Sequence, residues 1–203
     1  MIIPTAYLPP VGYMVHIFCV EEVVIEGHET YSKQTYRNHC NIYGPNGKQM
    51  LVIPVIRVNG NHTSTKDIRI SAHEPWQKIH WRSIQTAYNN SPFFLYYQDE
   101  FVPFFTRHYD FLLDFNTDLL LLLLKLTKST IRVSFSDHFI HGSLLKSRED
   151  MVSKKNIYNN SPYFQPFASK SGFISNLSVI DCLFNLGPEA EGYLSSQGVT
   201  SYK

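Results

Sequence analysis

Met1-Ile2-Ile3 opens the chain as a short apolar strand, and Val11, Met14, Val15 and Phe18 then recur at the spacing of one helix face. Between them Tyr7-Leu8-Pro9-Pro10 is expected to be extended, because each proline crowds its predecessor out of the helical region. Val23-Val24-Ile25 is an unbroken apolar run of the kind seen in strands covered on both faces. Strand (1–6), helix (11–20), strand (22–26) reads as a crossover joining a parallel pair. The loops after the two strands then open on one sheet edge, where open α/β sheets bind ligands.

Further on, Asn41-Ile42-Tyr43 and Met50 to Val55 flank Gly44-Pro45-Asn46-Gly47, and the Asn-Gly dipeptide predicts a hairpin. Pro54 cannot donate to a ladder and is expected at a strand end or edge. Val58 to Thr65 is turn-rich, and Ile68 and Ile70 alternate with polar neighbours as a half-exposed strand. Trp76, His80, Ile84, Ala87 and Tyr88 then mark a helix face behind Pro75, which suits a first helical position. A second helix is expected from Ser91-Pro92, stopped or kinked near Pro103. A third spans 109–126, with leucines on nearly all sides and therefore buried. Ile131 to Phe135 alternates weakly and offers a return to the sheet. Ser143 to Pro166 is polar and is the best candidate for a long or mobile loop. Leu177, Ile180 and Phe184 mark a last helix with Asn176 as cap, Gly187 at its end and Pro188 opening another turn.

The expected fold is α/β: an open sheet with an N-terminal strand–helix–strand unit, a β-hairpin and a helical C-terminal half. One domain is expected over 1–203, sheet-rich over 1–71, helical over 72–130, a loop over 143–166 and C-terminal helices over 176–196. With 203 residues, 43% hydrophobic and 17% charged, the chain can bury one good core. A net charge of +1 provides no global field toward nucleic acid or anionic membranes. The 3 cysteines are widely spaced, so neither a disulfide framework nor a structural zinc site is expected. The start has no basic segment before a long apolar run, and Leu119–Leu124 is far shorter than the ~20 residues of a membrane span. A cytoplasmic location is the expectation.

One stretch carries most of the chemistry. Glu26-Gly27-His28-Glu29-Thr30-Tyr31-Ser32-Lys33-Gln34-Thr35-Tyr36-Arg37-Asn38 combines carboxylates, an imidazole, two fixed cations and two amides between strand-like runs. Such loops on a rigid scaffold commonly carry function, although a solvated loop whose charges pair internally is the plain alternative. Glu26 and His28, two apart, share one side of an extended segment and form an acid–base pair. With Glu29 they could also ligate a metal, but two neighbouring cations oppose a divalent ion, so no metal is expected. Lys33 and Arg37, with Gln34 and Asn38, suit a phosphate or carboxylate, or else pair with Glu22 or Glu29. His80 sits on an apolar helix face as a core histidine would, and Asp181 needs a partner there. No phosphate-loop or dinucleotide fingerprint occurs, and no cofactor is expected.

Glu26-Gly27-His28-Glu29 and Tyr31-Ser32-Lys33-Gln34-Thr35-Tyr36-Arg37-Asn38 resemble the signature of the WbqC-like protein family, and Tyr7-Leu8-Pro9-Pro10-Val11-Gly12-Tyr13 its other N-terminal motif. The likeness continues through Trp76–Tyr88, Ser91–Tyr97, Tyr163-Phe164-Gln165 and Asn176–Asp181 with Phe184-Asn185 and Gly187-Pro188. It implies a role among surface-polysaccharide functions and a group transfer of glycine/aminoacyl or glycosyl type. Longer relatives carry an extra block where this chain has only Ser143 to Tyr158. The opening order is also similar to nucleotidyltransferase-type folds, but Val11-Gly12-Tyr13 lacks the two histidines of their phosphate motif, and His16 lies a turn later.

Together these readings give a transferase with a small-molecule substrate, nucleotide-linked donors included, and with neither nucleic acid nor membrane as partner. Glu26 and His28 are assigned acid–base roles. Tyr7, Glu29, Lys33, Gln34, Tyr36, Arg37, Asn38, His80 and Asp181 are assigned to substrate binding. The rivals are a non-catalytic binding or assembly protein using the same loop and a metal-dependent hydrolase.

Overall fold

The structure is a computed structural model describing residues 1–141, 151–153 and 158–198. β1 (Ile2–Pro4), α1 (Val11–Phe18) and β2 (Glu22–Glu26) form the expected unit. β1 and β2 are parallel, with Ile2 opposite Val24 and Pro4 opposite Glu26. A later strand, β7 (Arg132–Phe135), returns to the sheet and pairs in parallel on the other side of β2. The sheet order is therefore β1-β2-β7, and all three strands end on one edge.

Leu8 is not extended: it takes φ 37°, and its side chain is fully buried. Pro9 closes the right-handed region to it, and burial of the isobutyl group holds the strained alternative.

β3 (His39–Gly44) and β4 (Gly47–Val52) make the hairpin, joined by Pro45-Asn46. A second small ladder pairs β5 (Val55–Ile56) with β6 (Arg69–Ile70), and Pro54 falls between β4 and β5. Two single 3₁₀ turns, Gly60–His62 and Thr65–Asp67, lie between β5 and β6.

In α2 (Trp76–Tyr88) the buried residues are the five of the apolar face, Trp76, His80, Ile84, Ala87 and Tyr88. α3 (Phe94–Thr106) does not stop at Pro103 but continues to Thr106. A proline there deprives only the Asp99 carbonyl of its partner, and Asp99 is solvent-exposed. α4 (Leu112–Leu126) starts three residues later than its pattern implies, because Phe111 is extended and bridges Arg69. It is buried on most sides, with Leu121 and Lys125 turned outward. Each buried leucine contributes roughly 1.5–3 kcal/mol.

α5 (Ala168–Ser171), α6 (Val179–Leu186) and α7 (Ala190–Ser196) complete the chain, with a 3₁₀ turn at Gly187–Glu189. Ser178, not Asn176, caps α6: its side chain accepts the Ile180 N–H. Gly187 ends α6 at φ 57°, where a Cβ would meet the Phe93 ring at 2.5 Å.

One apolar core runs through the molecule, from Ile3, Val23 and Ile25 of the sheet to Phe115 and Leu123 of α4 and Phe184 of α6. Among the described residues, no helix is long and apolar enough to cross a membrane. Much of the loop expected over 143–166 lies outside the described residues. Of its described parts, Met151, Val152, Tyr158, Asn160 and Gln165 are buried, while Asn159, Ser161, Pro162 and Phe164 are exposed.

Candidate functional site at the sheet edge

β2 ends in Glu26, whose register opposite Pro4 sets it at the edge from which the polar stretch departs. The residue is fully buried. Its Oε1 accepts the His28 N–H at 2.7 Å and the Ser136 hydroxyl at 2.9 Å. Oε2 accepts the Ile140 N–H at 2.9 Å. One carboxylate thus fastens the loop after β2 to the loop after β7. Multiple donors of this kind fix its orientation.

The stretch that follows is no free loop. Its backbone is tied at Gly27 and Glu29, whose carbonyls accept the N–H groups of Lys66 and Thr65, and at Tyr31, which donates to Thr63. Further along, the Tyr36 N–H donates to Val152 and its carbonyl accepts the N–H of Tyr7, at 2.8 Å each. Thr35 also bridges Ser153.

Arg37 is fully buried and lies against Glu29, with Nε at 3.0 Å and Nη2 at 2.5 Å from Oε1. Its Nη1 donates to the Thr35 hydroxyl at 3.3 Å, and the Asn116 amide donates to its carbonyl at 2.8 Å. The internal pairing foreseen for these charges is therefore realised for Arg37 and Glu29, in the interior and not at the surface.

His28 is half-buried, while Lys33 and Gln34 are exposed, Gln34 with φ 56°. Tyr36 is buried and its hydroxyl accepts from Asn41 at 3.3 Å; burial raises its pKa. Asn38 donates its amide to the Ile53 carbonyl at 2.9 Å and leaves Oδ1 without a partner.

Tyr7 and His80 meet in the core. The Tyr7 hydroxyl lies 2.9 Å from His80 Nδ1, and the rings stack at 5.7 Å. Burial lowers the His80 pKa to about 4, opposed by a bond to the Val52 backbone. A neutral ring donating to Val52 leaves Nδ1 to accept from Tyr7. The Tyr7 loop still reaches the polar stretch through its backbone bond to Tyr36.

Asp181 belongs to a different group. Its Oδ1 accepts the Tyr163 hydroxyl at 2.6 Å and the Gln165 amide at 2.9 Å. Oδ2 makes no hydrogen bond, although the Tyr88 hydroxyl is close enough to act on the charge. Burial raises the carboxyl to about 6, against the lowering effect of its hydrogen bonds. Two separated motif segments, 163–165 and 176–181, are thus joined by one buried acid.

The N-terminus of α1 is closed from within. The Gly12 N–H donates to Asn176 Oδ1 at 2.9 Å and the Val11 N–H to the Leu177 carbonyl at 2.9 Å. A Cβ on Gly12 would lie 2.7 Å from the Tyr158 ring. The space in front of this helix end is therefore taken up by Tyr158, Asn176 and Leu177.

Several residues that position the site carry little local signal. Ser136 and Ile140 follow a weakly patterned strand, and Asn176 looks like an ordinary helix cap. His138 and His141 lie on the same loop as Ser136 and Ile140, with His141 edge-on to Phe139 at 4.5 Å. Among the described residues, no three His, Cys, Asp or Glu side chains come together as a metal-binding group.

The profile of the WbqC-like protein family matches residues 5–153. Uncharacterized protein Rv1507c of Mycobacterium tuberculosis (strain ATCC 25618 / H37Rv) is 30% identical over 105 residues. The match takes in 51% of this chain and 45% of that protein, so the chain spans less than half the length of this relative. No solved structure matches the chain.

Proposed function

The chain belongs to the WbqC-like protein family, and on that premise we propose that it is a group transferase of surface-polysaccharide biosynthesis. Its donor carries a phosphate or carboxylate and is bound by the polar stretch at the sheet edge. The observation that carries this reading is the triple anchoring of Glu26, which holds the loops after β2 and β7 together at the ligand-binding edge of a parallel sheet. Polar groups fixed this way on both sides of one edge form a preorganised surface.

The roles follow from exposure. Lys33 is free of the core and supplies the cation for the anion. His28, half-buried beside the anchored carboxylate, supplies acid–base function, and Glu26 orients its backbone. Arg37 is bound to Glu29 and acts by holding the loop's shape, and Gln34 and Asn38 flank it. Tyr7 and Tyr36 form the floor beneath, where the two loops are bonded to each other.

A thermal-shift screen of the full chain against nucleotides, nucleotide sugars, amino acids and divalent metals tests the reading. Stabilisation by a phosphate- or carboxylate-bearing compound, reduced in Lys33→Ala, supports it. Stabilisation by a divalent metal alone, lost in His28→Ala, would replace it with the hydrolase. No response from any class would favour an assembly protein.

A further inference from the structure

Two adjoining cavities of about 290 and 360 Å³ open beside β6 and share Ile70, Ala72 and His108. Trp76, Phe105 and Tyr109 wall the first, and Arg69, His73 and Asp110 line the second. None of these residues belongs to the polar stretch at the sheet edge.

The framework is built from backbone bonds. On one side β6 pairs with β5, Arg69 opposite Ile56. On the other, the Ile70 N–H donates to the Asp110 carbonyl at 2.9 Å and the Leu112 N–H to the Ile68 carbonyl at 3.0 Å. The Gln77 amide donates to the Phe104 and Arg107 carbonyls at 2.8 and 2.6 Å, fastening the end of α3 to the start of α2. The Arg69 guanidinium lies 4.8 Å over the Phe111 ring and 4.0 Å from Asp110. Asp110 is also 3.4 Å from His108 Nε2, so one exposed carboxylate lies between a guanidinium and an imidazole. The Arg69 side chain remains half-exposed. Glu74 and Lys78 add one charge of each sign to the first cavity.

We propose that this double cleft is a second ligand site, taking a small molecule with a flat apolar body and one oxyanion, a carboxylate or a phosphate. The lining aromatic residues and Ile70 and Ala72 accept the body. The planar fork of Arg69, held by stacking, matches the two oxygens of the anion, and His108 adds a donor. Each cavity is near the lower end of the size of ligand pockets, roughly 300 Å³.

The test is an amide NMR titration of the ¹⁵N-labelled full chain with benzoate and phenyl phosphate, and separately with inorganic phosphate and benzyl alcohol. The aromatic anions should bind at least tenfold tighter than either half-ligand and shift amides at 69–73 and 105–110. Arg69→Ala should weaken them at least tenfold, and Arg69→Lys should restore only part. Arg69→Gln, which keeps the stem, serves if the alanine variant loses its dispersed spectrum. Lys33→Ala should leave this binding unchanged, which separates the cleft from the sheet-edge site. Equal affinity for inorganic phosphate and phenyl phosphate would mean an adventitious ion only. That outcome overturns the proposal, as would shifts confined to 26–38 or full affinity in both Arg69→Ala and Arg69→Gln.

Discussion

The carboxylate of Glu26, at the end of β2, accepts the backbone N–H of Ile140, 114 residues further along the chain, at 2.9 Å. With the His28 N–H and the Ser136 hydroxyl on its other oxygen, it is the knot between two loops of the sheet edge. Glu26→Gln keeps the shape but turns an N–H₂ toward one of these donors. A lost bond to a charged acceptor and a donor left unpaired in the interior cost about 1–3 kcal/mol. Urea unfolding should show this loss, and a variant as stable as the parent would remove the knot from the account.

The Arg37–Glu29 pair predicts a different pattern. Arg37→Ala leaves a carboxylate buried beside an empty space and should destabilise by about 3–5 kcal/mol. Replacing both, as Arg37→Met with Glu29→Leu, takes the buried carboxylate away together with its cation and should recover most of that loss. A double-mutant cycle in guanidinium chloride reads the coupling directly. Additive losses would mean that the two side chains do not depend on each other.

Asp181 sets a dependence on pH. Its carboxyl titrates at about 6 in the folded chain, against an unfolded value of roughly 3.9. The folded state therefore holds the proton more tightly, and stability contributed by this group is present below about pH 4. It is lost as pH rises from there through 6, by about 3 kcal/mol, roughly two pH units at ~1.4 kcal/mol each. Asp181→Asn should gain on the parent across that window and run parallel to it above pH 7. Urea midpoints at pH 4.5, 6 and 7.5 check this, and a constant difference between the two proteins would contradict it.

Gly12 is required by what lies on it. A methyl at this position meets the Tyr158 ring at 2.7 Å and its Cβ at 2.8 Å. Gly12→Ala should therefore lower thermal stability, by roughly 1–3 kcal/mol for overpacking. Tyr158→Ala in the same chain should cancel part of the additional loss. If Gly12→Ala alone is neutral, the closure of α1 by Tyr158, Asn176 and Leu177 is looser than the contacts imply.

How much of this was legible in the sequence depended on periodicity. The parallel pairing of β1 with β2 followed from an apolar run, a helical spacing and another apolar run. The five buried residues of α2 are those of its apolar stripe, because a regular helix turns spacing into direction. Pro103 marks the end of α3 only to within a turn: the helix runs on to Thr106, because the one carbonyl that the proline leaves without a donor, on Asp99, belongs to a solvent-exposed residue. Asn176 and Ser178 are both good caps by type, and only the tertiary structure tells them apart: Ser178 accepts the Ile180 N–H, while Asn176 is turned to the Gly12 N–H. The polar stretch was recognisable as unusual, but not how it is used. Arg37 and Glu29 lie eight apart in irregular backbone, where no period relates spacing to facing. Ser136 and Ile140 contribute a hydroxyl and a backbone N–H, and neither has a signature in residue type.

The central claim is that the sheet edge built around Glu26 binds an anionic donor through Lys33, with His28 acting in transfer. Isothermal titration of the compound selected by the thermal-shift screen, into the parent, Lys33→Ala and His28→Ala chains, tests it most directly. Loss of one charge-assisted bond should weaken binding to Lys33→Ala by about 1.5–3 kcal/mol, roughly 10- to 150-fold. His28→Ala should bind as the parent does and lose turnover. Unchanged affinity in Lys33→Ala, or a bound divalent metal that His28→Ala releases, would contradict the claim.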